Sequence, residues 1–160
     1  KNIEFKKARY IVEYGPGTGR ITKEILKRAR KDAKILCFEI NKKFYNYLRK
    51  NIKDNRLVIV NDSAENVNKY IKKYNIKKID YVVSGLPFTN LKIDKKYQII
   101  KETKNTLKTN GKFLVFQFFL NNFKKYLHYY FSDISIKFVP LNIPPCFVYV
   151  CEKQWNEVKN

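Results

Sequence analysis

A glycine-rich segment is the part of the sequence whose residue types and spacing have the clearest chemical meaning. It reads Glu13-Tyr14-Gly15-Pro16-Gly17-Thr18-Gly19 and joins a predicted strand, Arg9–Tyr14, to a predicted helix, Gly19–Arg30. Glycines at such a turn let the backbone approach a ligand without a Cβ clash, and the free amides of the helix N-terminus face what binds there. We therefore predict a nucleotide-type crevice, and its first candidate ligand-binding residues are Glu13, Gly15, Pro16, Gly17, Thr18 and Gly19.

The spacing of these glycines narrows the choice of nucleotide. A dinucleotide fingerprint, G-x-G-x-x-G, counted from Gly15 would need glycine at position 20, where the chain has Arg20. The sequence also lacks the G-x-x-x-x-G-K-[ST] phosphate cradle of ATP- and GTP-binding proteins. The pattern therefore disfavours a nicotinamide, a flavin or a nucleoside triphosphate.

Two carboxylates follow the next two predicted strands. Glu39 ends the strand Lys34–Glu39, 20 residues after Gly19, where it can accept hydrogen bonds from both ribose hydroxyls of an adenosine or remain a solvated strand-end carboxylate. Asp62 follows the strand Leu57–Val60 and can accept from an adenine amino group, cap the next helix, or do both. The predicted cofactor set also includes the neighbours of these acids, Ile40, Ser63 and Ala64.

The elements that position these residues alternate along the chain, as in a doubly wound α/β sheet with right-handed connections. The remaining strands of the parallel part are predicted at Lys78–Ser84 and Lys112–Phe118. Further helices are predicted at Asn41–Ile52, Ala64–Tyr74, Lys95–Thr109 and Asn121–Phe131. The tail differs, because two strand-like runs, Ile134–Val139 and Phe147–Lys153, are joined by a short loop without a helix. Such a link predicts an antiparallel pair at the end of the sheet.

Composition sets the limits for partners and domain number. A chain of 160 residues that is 44% hydrophobic and 16% aromatic favours a single folded domain over residues 1–160. The formal charge of +20 is typical of a protein that binds a polyanion, although A/T-rich codons could equally account for the many lysines. Three cysteines without Cys-x-x-Cys spacing and one histidine predict neither a zinc site nor a disulfide scaffold, so we expect no metal.

The glycine motif and the two acids together resemble a known family. E-x-G-x-G-x-G, an acid ending the second strand, an Asp after the third and an antiparallel final pair are similar to the class I S-adenosylmethionine-dependent methyltransferases, over nearly the whole chain. The resemblance implies a Rossmann-like α/β fold with a mostly parallel seven-stranded sheet and an antiparallel C-terminal strand pair. It also implies S-adenosylmethionine as the cofactor and an enzyme that methylates an amine.

Two groups within that family resemble this chain, and they imply different methyl acceptors. The segment Val82–Phe88, ending in S-G-L-P-F, resembles the S-N-L-P-Y motif of the ribosomal RNA adenine dimethyltransferases, but Gly85 stands where their Asn holds the adenine amino group. The S-G-L-P form is similar to the bacterial phospholipid N-methyltransferases, which methylate phosphatidylethanolamine. The resemblance therefore favours a lipid amine, with RNA adenine N6-methylation and a non-catalytic cofactor-binding fold as alternatives.

Two downstream segments resemble the lipid group. Phe116–Phe118 is similar to its Q-F-T, and Asn142–Tyr149 is similar to its N-L-P-P-A-x-V-Y. The chain departs from these patterns at Phe119, Leu120 and Cys146. The amphipathic N-terminal segment with which the family contacts membranes is absent from these 160 residues, so we expect the chain to bind cofactor and to act poorly on lipid if that segment is required.

The resemblance implies the following acceptor-side residues: Ser84, Gly85, Leu86, Pro87, Phe88, Gln117 and Tyr149. Carbonyls of Ser84–Leu86 and the Gln117 side chain are predicted to orient the amine, and Ser84 is also counted with the cofactor set. The ring faces of Phe88 and Tyr149 can favour the growing positive charge, or these rings can simply pack in the core. The implied partner is phospholipid at an anionic membrane surface, with RNA as the alternative. We expect a cytoplasmic enzyme, peripheral to the inner face of the membrane, whose oligomeric state stays open.

Overall fold

A mixed sheet organises the protein in a computed structural model that describes residues 4–118, 123–140 and 145–155. Within these residues the sheet has seven strands in the order β3-β2-β1-β4-β5-β7-β6. The strands are β1 Tyr10–Tyr14, β2 Lys34–Phe38, β3 Leu57–Val60, β4 Ile79–Ser84, β5 Leu107–Gln117, β6 Asp133–Val139 and β7 Cys146–Glu152. The first five are parallel, and β7 runs antiparallel to both β5 and β6. The predicted doubly wound sheet with an antiparallel final pair is confirmed.

Helices cover both faces of this sheet, because alternate strand side chains point to opposite faces and both sets are apolar. The helices are α1 Arg20–Arg28, α2 Lys42–Asn51, α3 Val67–Lys73, α4 Ile93–Thr106 and α5 Phe123–His128. Val12 on β1 packs in the core beneath α3 and α4, whereas its neighbour Ile11 packs in the core beneath α1 and α2. The helix α5 joins the core that contains Val12, through Phe123 and Leu127.

Two predicted boundaries are wrong around the connection between α4 and β5. The helix was expected to reach Thr109 and the strand to begin at Lys112. In the structure the helix ends at Thr106, and β5 begins at once with Leu107. Leu107 is fully buried and pairs with Ile79 of β4, so burial on the sheet outweighs another helical turn. The register shifts before the next pairs, and Asn110 has a positive φ of 60° within this irregular stretch.

The third and fifth helices also differ from the sequence prediction. The segment expected to begin α3 at Ala64 forms a short 3-10 turn, Ala64–Asn66, before the α-helix. The structure begins its description of α5 at Phe123, so the first two residues of the predicted helix, 121 and 122, lie outside the described residues. In the part of the chain that the structure describes, no helix is both long and apolar enough to cross a bilayer.

Strand register brings the carboxyl ends of four strands to one edge of the sheet. Tyr14 is aligned with Phe38 of β2 and with Ser84 of β4, and Ser84 is in turn aligned with Val115 of β5. Gln117 at the end of β5 pairs with Phe147 at the start of β7. Ligands of open α/β sheets bind outside this edge, where the strand order reverses, and here the reversal lies between β1 and β4.

Candidate active site

The glycine turn after β1 adopts a backbone that only glycine tolerates well. Its three glycines all have positive φ, with values of 66°, 55° and 80° for Gly15, Gly17 and Gly19. A Cβ on Gly19 would lie 2.6 Å from the side chain of Ile52 and 2.8 Å from that of Leu48, so α1 and α2 approach closely here. A Cβ on Gly17 would meet no atom within 4 Å, so the space beside Gly17 is open to a ligand.

The helix after this turn presents an uncapped N-terminus. Gly19 is the N-cap of α1 and has no side chain with which to accept from the first amides. The first turn of α1 also contains no acidic residue. Unsatisfied amides and the positive end of the helix dipole therefore remain available for a negatively charged group of a ligand.

Glu39 connects the glycine turn to the end of β2. Its carboxylate is almost fully buried and accepts hydrogen bonds from the backbone amides of Gly17, at 3.1 Å, and Asn41, at 2.8 Å. Each oxygen uses one of its two acceptor positions in these bonds, so the carboxylate keeps the capacity to accept from two more donors. The side-chain amide of Asn61 donates to the carbonyls of Glu39 and Ile40 and holds this corner in place. Ile40 itself is exposed.

Glu13 lies beneath the turn rather than at its surface. Its side chain is 1% exposed and accepts hydrogen bonds from the Thr22 hydroxyl, at 2.7 Å, and the Cys37 thiol, at 3.1 Å. Burial raises the pKa of Glu13, the charge of Glu39 acts in the same direction, and the two hydrogen bonds oppose the shift. The other carboxylate oxygen, Oε1, is buried without a hydrogen-bond partner among the described residues. Glu13 thus supports the turn from below.

Thr22 and Cys37 are site residues that sequence reasoning missed. Cys37 is buried, and its thiol donates a hydrogen bond to the buried Glu13 carboxylate. The strand pairing aligns Glu13 with Cys37, and Thr22 stands one turn into α1. The spacing of nine residues between Glu13 and Thr22 was the available signal, because a strand-turn-helix unit brings the first helical turn back over the end of the strand.

Asp62 anchors the loop after β3. Its carboxylate accepts from the side chain of Asn66, the backbone amide of Ser63 and the hydroxyl of Tyr70, at distances of 2.7 to 2.9 Å, and these donors lower its pKa. The cap of the following 3-10 turn is Ser63, whose hydroxyl accepts from the Glu65 amide. The predicted capping role of Asp62 is therefore taken by its neighbour, while contact with adenine stays a prediction. Ala64, also in the predicted set, is buried in the core.

The loop after β4 contacts the glycine turn directly. The amide of Gly85 donates to the carbonyl of Tyr14 at 2.9 Å, and a Cβ on Gly85 would lie 3.1 Å from the carbonyl oxygen of Gly15. A Cβ on Gly15 would in turn lie 3.0 Å from the Leu86 side chain. Ser84 is fully buried, and its hydroxyl accepts from the Leu86 amide at 3.3 Å. The two predicted ligand-binding segments are thus brought into contact.

Gln117 holds that loop from β5. Its side-chain amide donates to the carbonyl of Leu86 at 2.9 Å and to its neighbour, Phe116, at 2.7 Å, and the side chain is 6% exposed. Sequence reasoning expected Gln117 and the loop carbonyls to face the substrate amine. The structure shows the Gln117 amide group and the Leu86 carbonyl bonded to each other, so in this arrangement Gln117 positions the loop.

Phe88 and Tyr149 lie in the core beside this loop. Both are fully buried, and their rings pack against Phe123 with centroid distances of 4.6 and 5.7 Å. Pro87 precedes the 3-10 turn Phe88–Asn90. Contact of either ring with a reacting nitrogen remains a prediction. Asn142, Ile143 and Pro144 of the predicted N-x-P-P segment lie outside the described residues.

Residues 11–111 match a family model described as a methyltransferase domain. The chain belongs to this family. The matched region runs from β1 to the irregular start of β5, so it includes the glycine turn, Glu39, Asp62 and the loop at Gly85. The protein is an S-adenosylmethionine-dependent methyltransferase, as the glycine and acid pattern predicted.

Known relatives of this methyltransferase act on different acceptors. The chain is 27% identical, over 152 residues, to an ornithine lipid N-methyltransferase of Singulisphaera acidiphila, and the match covers 94% of this chain and 79% of the relative. It is 38% identical over 87 residues to ribosomal RNA small subunit methyltransferase A of Mycoplasmopsis synoviae, covering 54% of this chain and 30% of that protein.

A solved structure supports the fold assignment. A precorrin-6y C5,15-methyltransferase of Geobacter metallireducens superposes with a TM-score of 0.75 at 16% identity. The superposition covers 95% of this chain and 85% of the other. The two proteins therefore share the arrangement of strands and helices.

Proposed function

We propose that this methyltransferase methylates the primary amine of a membrane lipid headgroup, with phosphatidylethanolamine as the predicted acceptor. The observation that carries the proposal is the glycine at position 85. It lies where the loop between β4 and α4, residues 85–92, which we call the acceptor loop, contacts the glycine turn Gly15–Gly19, which we call the cofactor turn. The relative with the longer match acts on ornithine lipid, another lipid that presents an alkyl amine, and this supports the same class of acceptor. In this proposal the enzyme works at an anionic, cytoplasmic membrane surface.

The cofactor side of the site fits S-adenosylmethionine. We assign the adenosine to the crevice between Gly15–Gly19 and Glu39, whose carboxylate has acceptor capacity for the ribose hydroxyls. The uncapped N-terminus of α1 suits the carboxylate of the methionine moiety, and Asp62 suits the adenine amino group. When bound, the cofactor would supply a methyl group from its sulfonium. The sulfur would keep the electron pair of the broken carbon–sulfur bond.

The acceptor side has to hold an uncharged amine in line with that methyl group and to exclude water. The nitrogen lone pair forms the new bond, and the proton that the ammonium loses goes to solvent. Gln117 fixes the Leu86 carbonyl, and buried Ser84 fixes the Leu86 amide, so the loop is held in one conformation before substrate binds. Phe88 and Tyr149 support this loop from the core.

The glycine at position 85 favours a lipid amine over an RNA base as the methyl acceptor. The lone pair of the adenine amino group is delocalised into the ring, so its methylation gains from a polar partner such as the Asn of the ribosomal RNA enzymes. Here any side chain at position 85 begins with a Cβ 3.1 Å from the Gly15 carbonyl, and glycine offers no polar group. An alkyl amine keeps its lone pair once deprotonated and needs no such partner.

RNA adenine methylation is the second candidate. The charge of +20 and the partial match to a ribosomal RNA methyltransferase favour it. That match covers about half of this chain, whereas the match to the lipid methyltransferase covers almost all of it. We therefore place RNA second.

Gly85 variants test this choice. Gly85→Ala adds only the crowding Cβ, and Gly85→Asn adds the same Cβ with a polar amide, so the pair separates crowding from hydrogen bonding. Each variant and the wild type receive radiolabelled cofactor with vesicles of phosphatidylethanolamine, vesicles of ornithine lipid, or ribosomal RNA. We expect lipid methylation by the wild type, about tenfold slower transfer in Gly85→Ala, a larger loss in Gly85→Asn, and little RNA methylation by any of them. A Gly85→Asn enzyme that gains strong RNA activity while the wild type ignores both lipids contradicts the proposal.

A further inference from the structure

A group of four tyrosines and two lysines lies on the surface between α4 and α5. We call it the tyrosine–lysine patch, and its members are Tyr97, Tyr126, Tyr129, Tyr130, Lys96 and Lys125. The ring of Tyr97 packs edge-to-face against the other three rings at centroid distances of 5.4 to 6.3 Å. Tyr129 is 72% exposed, although large aromatic side chains are normally sheltered from water. The cofactor site does not use this patch.

The patch is continuous with the acceptor loop. Phe88 of that loop stacks on Phe123 at the start of α5 with a centroid distance of 4.6 Å, and Phe123 lies 6.5 Å from Tyr126 of the patch. The loop also leads directly into α4, whose first residue, Ile93, is 59% exposed. Ile93 and Tyr97 are four residues apart on this helix and therefore share a face. The loop and the patch are thus joined through the buried rings of Phe88 and Phe123, and Ile93 adds an exposed apolar side chain on the helix that carries Tyr97.

The charge around the patch is strongly positive. Segments 92–102 and 123–130 carry two acidic residues, Asp94 and Glu102, and six lysines, namely Lys92, Lys95, Lys96, Lys101, Lys124 and Lys125. Lys95 is paired with Glu65, which leaves a clear excess of cations. Tyrosine with its polar tip suits the boundary between headgroups and acyl chains, and lysines are attracted to anionic lipids.

We propose that the tyrosine–lysine patch docks the enzyme onto an anionic lipid bilayer. This proposal rests on the proposed lipid acceptor. The patch would be the surface that holds the acceptor loop near the lipid headgroups. With the patch at the bilayer surface, the loop that contains Gly85 and leads into α4 would be held near the headgroups that it must methylate.

The packing of the rings favours a bilayer over RNA as the partner. Single-stranded nucleic acid needs open ring faces on which bases can stack. In the patch, the Tyr126 ring has the ammonium groups of both Lys96 and Lys125 at 5.1 Å from its centroid, and Tyr97 is surrounded by the other rings. Tyr129 is exposed and the other three tyrosines are half-buried, so the patch offers a packed aromatic surface that suits a headgroup layer.

Vesicle binding by the full chain tests the docking surface without relying on catalysis. The probes are sedimentable vesicles of phosphatidylcholine alone and of phosphatidylcholine with phosphatidylglycerol. The patch variants are Lys96→Ala/Lys125→Ala and Tyr129→Ser. Their matched controls on the opposite face are Lys27→Ala/Lys50→Ala on α1 and α2, and Tyr47→Ser, which removes another exposed tyrosine. Melting temperature and cofactor affinity of every variant establish that the fold is intact.

We expect the wild type to bind anionic vesicles and to release them as salt rises. Removing the two patch lysines should weaken binding about 30-fold, with a smaller loss for Tyr129→Ser and none for the controls. Equal losses in the patch and control lysine variants would show that overall charge, not the patch, drives binding, and would overturn the proposal. A patch variant that loses RNA binding but keeps vesicle binding would overturn it as well.

The same variants separate this proposal from the proposed function. If patch-dependent vesicle binding occurs but no lipid is methylated, the result supports the docking surface and contradicts the proposed lipid acceptor. If lipid dissolved in detergent micelles is methylated while patch variants bind vesicles like the wild type, the result supports the proposed lipid acceptor and contradicts the docking surface. A wild type that binds no anionic vesicle at all also contradicts docking through the patch.

Discussion

The two sides of the active site are built from different interactions. Between β1 and β2, backbone amides and carboxylates dominate, with Glu39 bonded to the Gly17 amide and Glu13 bonded to Thr22. Between β4, β5 and β7, aromatic rings dominate, and the side-chain amide of Gln117 holds the loop through the Leu86 carbonyl. The cofactor side depends on backbone shape, which a short motif can encode. The acceptor side depends on contacts between distant parts of the chain, where substrate preference can vary without disturbing the cofactor.

The two sides meet at one close backbone contact. Gly15 of the cofactor turn and Gly85 of the acceptor loop approach so closely that a Cβ on either would crowd the other loop. We therefore expect variants away from this contact to affect one side only, and variants at Gly85 to affect both.

The largest expected effect is on cofactor binding by Glu39→Ala. This change removes the acceptor of the Gly17 and Asn41 amides as well as the proposed ribose ligand, and bonds to charged groups contribute about 1.5 to 3 kcal/mol each. Titration calorimetry should show affinity for S-adenosylmethionine reduced about 100-fold. Glu24→Ala on the exposed side of α1 is the control and should bind normally. Unchanged affinity in Glu39→Ala would remove this residue from the site.

A smaller effect is expected when the acceptor side is loosened by Gln117→Ala. Without the Gln117 amide, the Leu86 carbonyl keeps only the backbone amide of Phe88 as a partner and the loop is no longer tied to β5, so turnover should fall about tenfold while cofactor affinity stays within about twofold of the wild type. Gln117→Glu should behave similarly, because a carboxylate cannot donate to that carbonyl. Steady-state kinetics with calorimetry measures both quantities, and Gln154→Ala, at an exposed position, is the control. A large loss of cofactor affinity would contradict the separation of the two sides.

The smallest expected effect is a pH dependence of stability from Glu13. Burial raises the pKa of this carboxyl above the usual 4.5, so above pH 4.5 the folded protein holds a proton that the unfolded chain releases. The contribution of protonated Glu13 to the free energy of unfolding is therefore complete below pH 4.5, and it is lost as the pH rises through the raised pKa. Glu13→Gln stays neutral, so its melting temperature relative to the wild type should increase as the pH rises. Parallel curves for the two proteins, with Glu24→Gln as the control, would show that Glu13 is not protonated in the folded state.

Local signals in the sequence predicted the cofactor side well and the acceptor side less well. The glycine turn and the second strand are encoded within short windows, and the strand predicted at Lys34–Glu39 is found at Lys34–Phe38. The bond between Gln117 and Leu86 joins residues 31 positions apart, and the Cys37 thiol finds Glu13 through strand pairing, so neither follows from a motif. The end of α4 was misplaced because burial of Leu107 against Ile79 decides it, and helix propensity does not report that contact.

A competition between acceptors tests the central claim most directly. Wild-type enzyme receives labelled S-adenosylmethionine in one reaction that contains phosphatidylethanolamine vesicles, ornithine lipid vesicles and ribosomal RNA, and the label in each separated fraction is counted. We predict label in the lipid fraction, on the headgroup nitrogen, with RNA near background. Label that accumulates in RNA while both lipids stay unlabelled would contradict it.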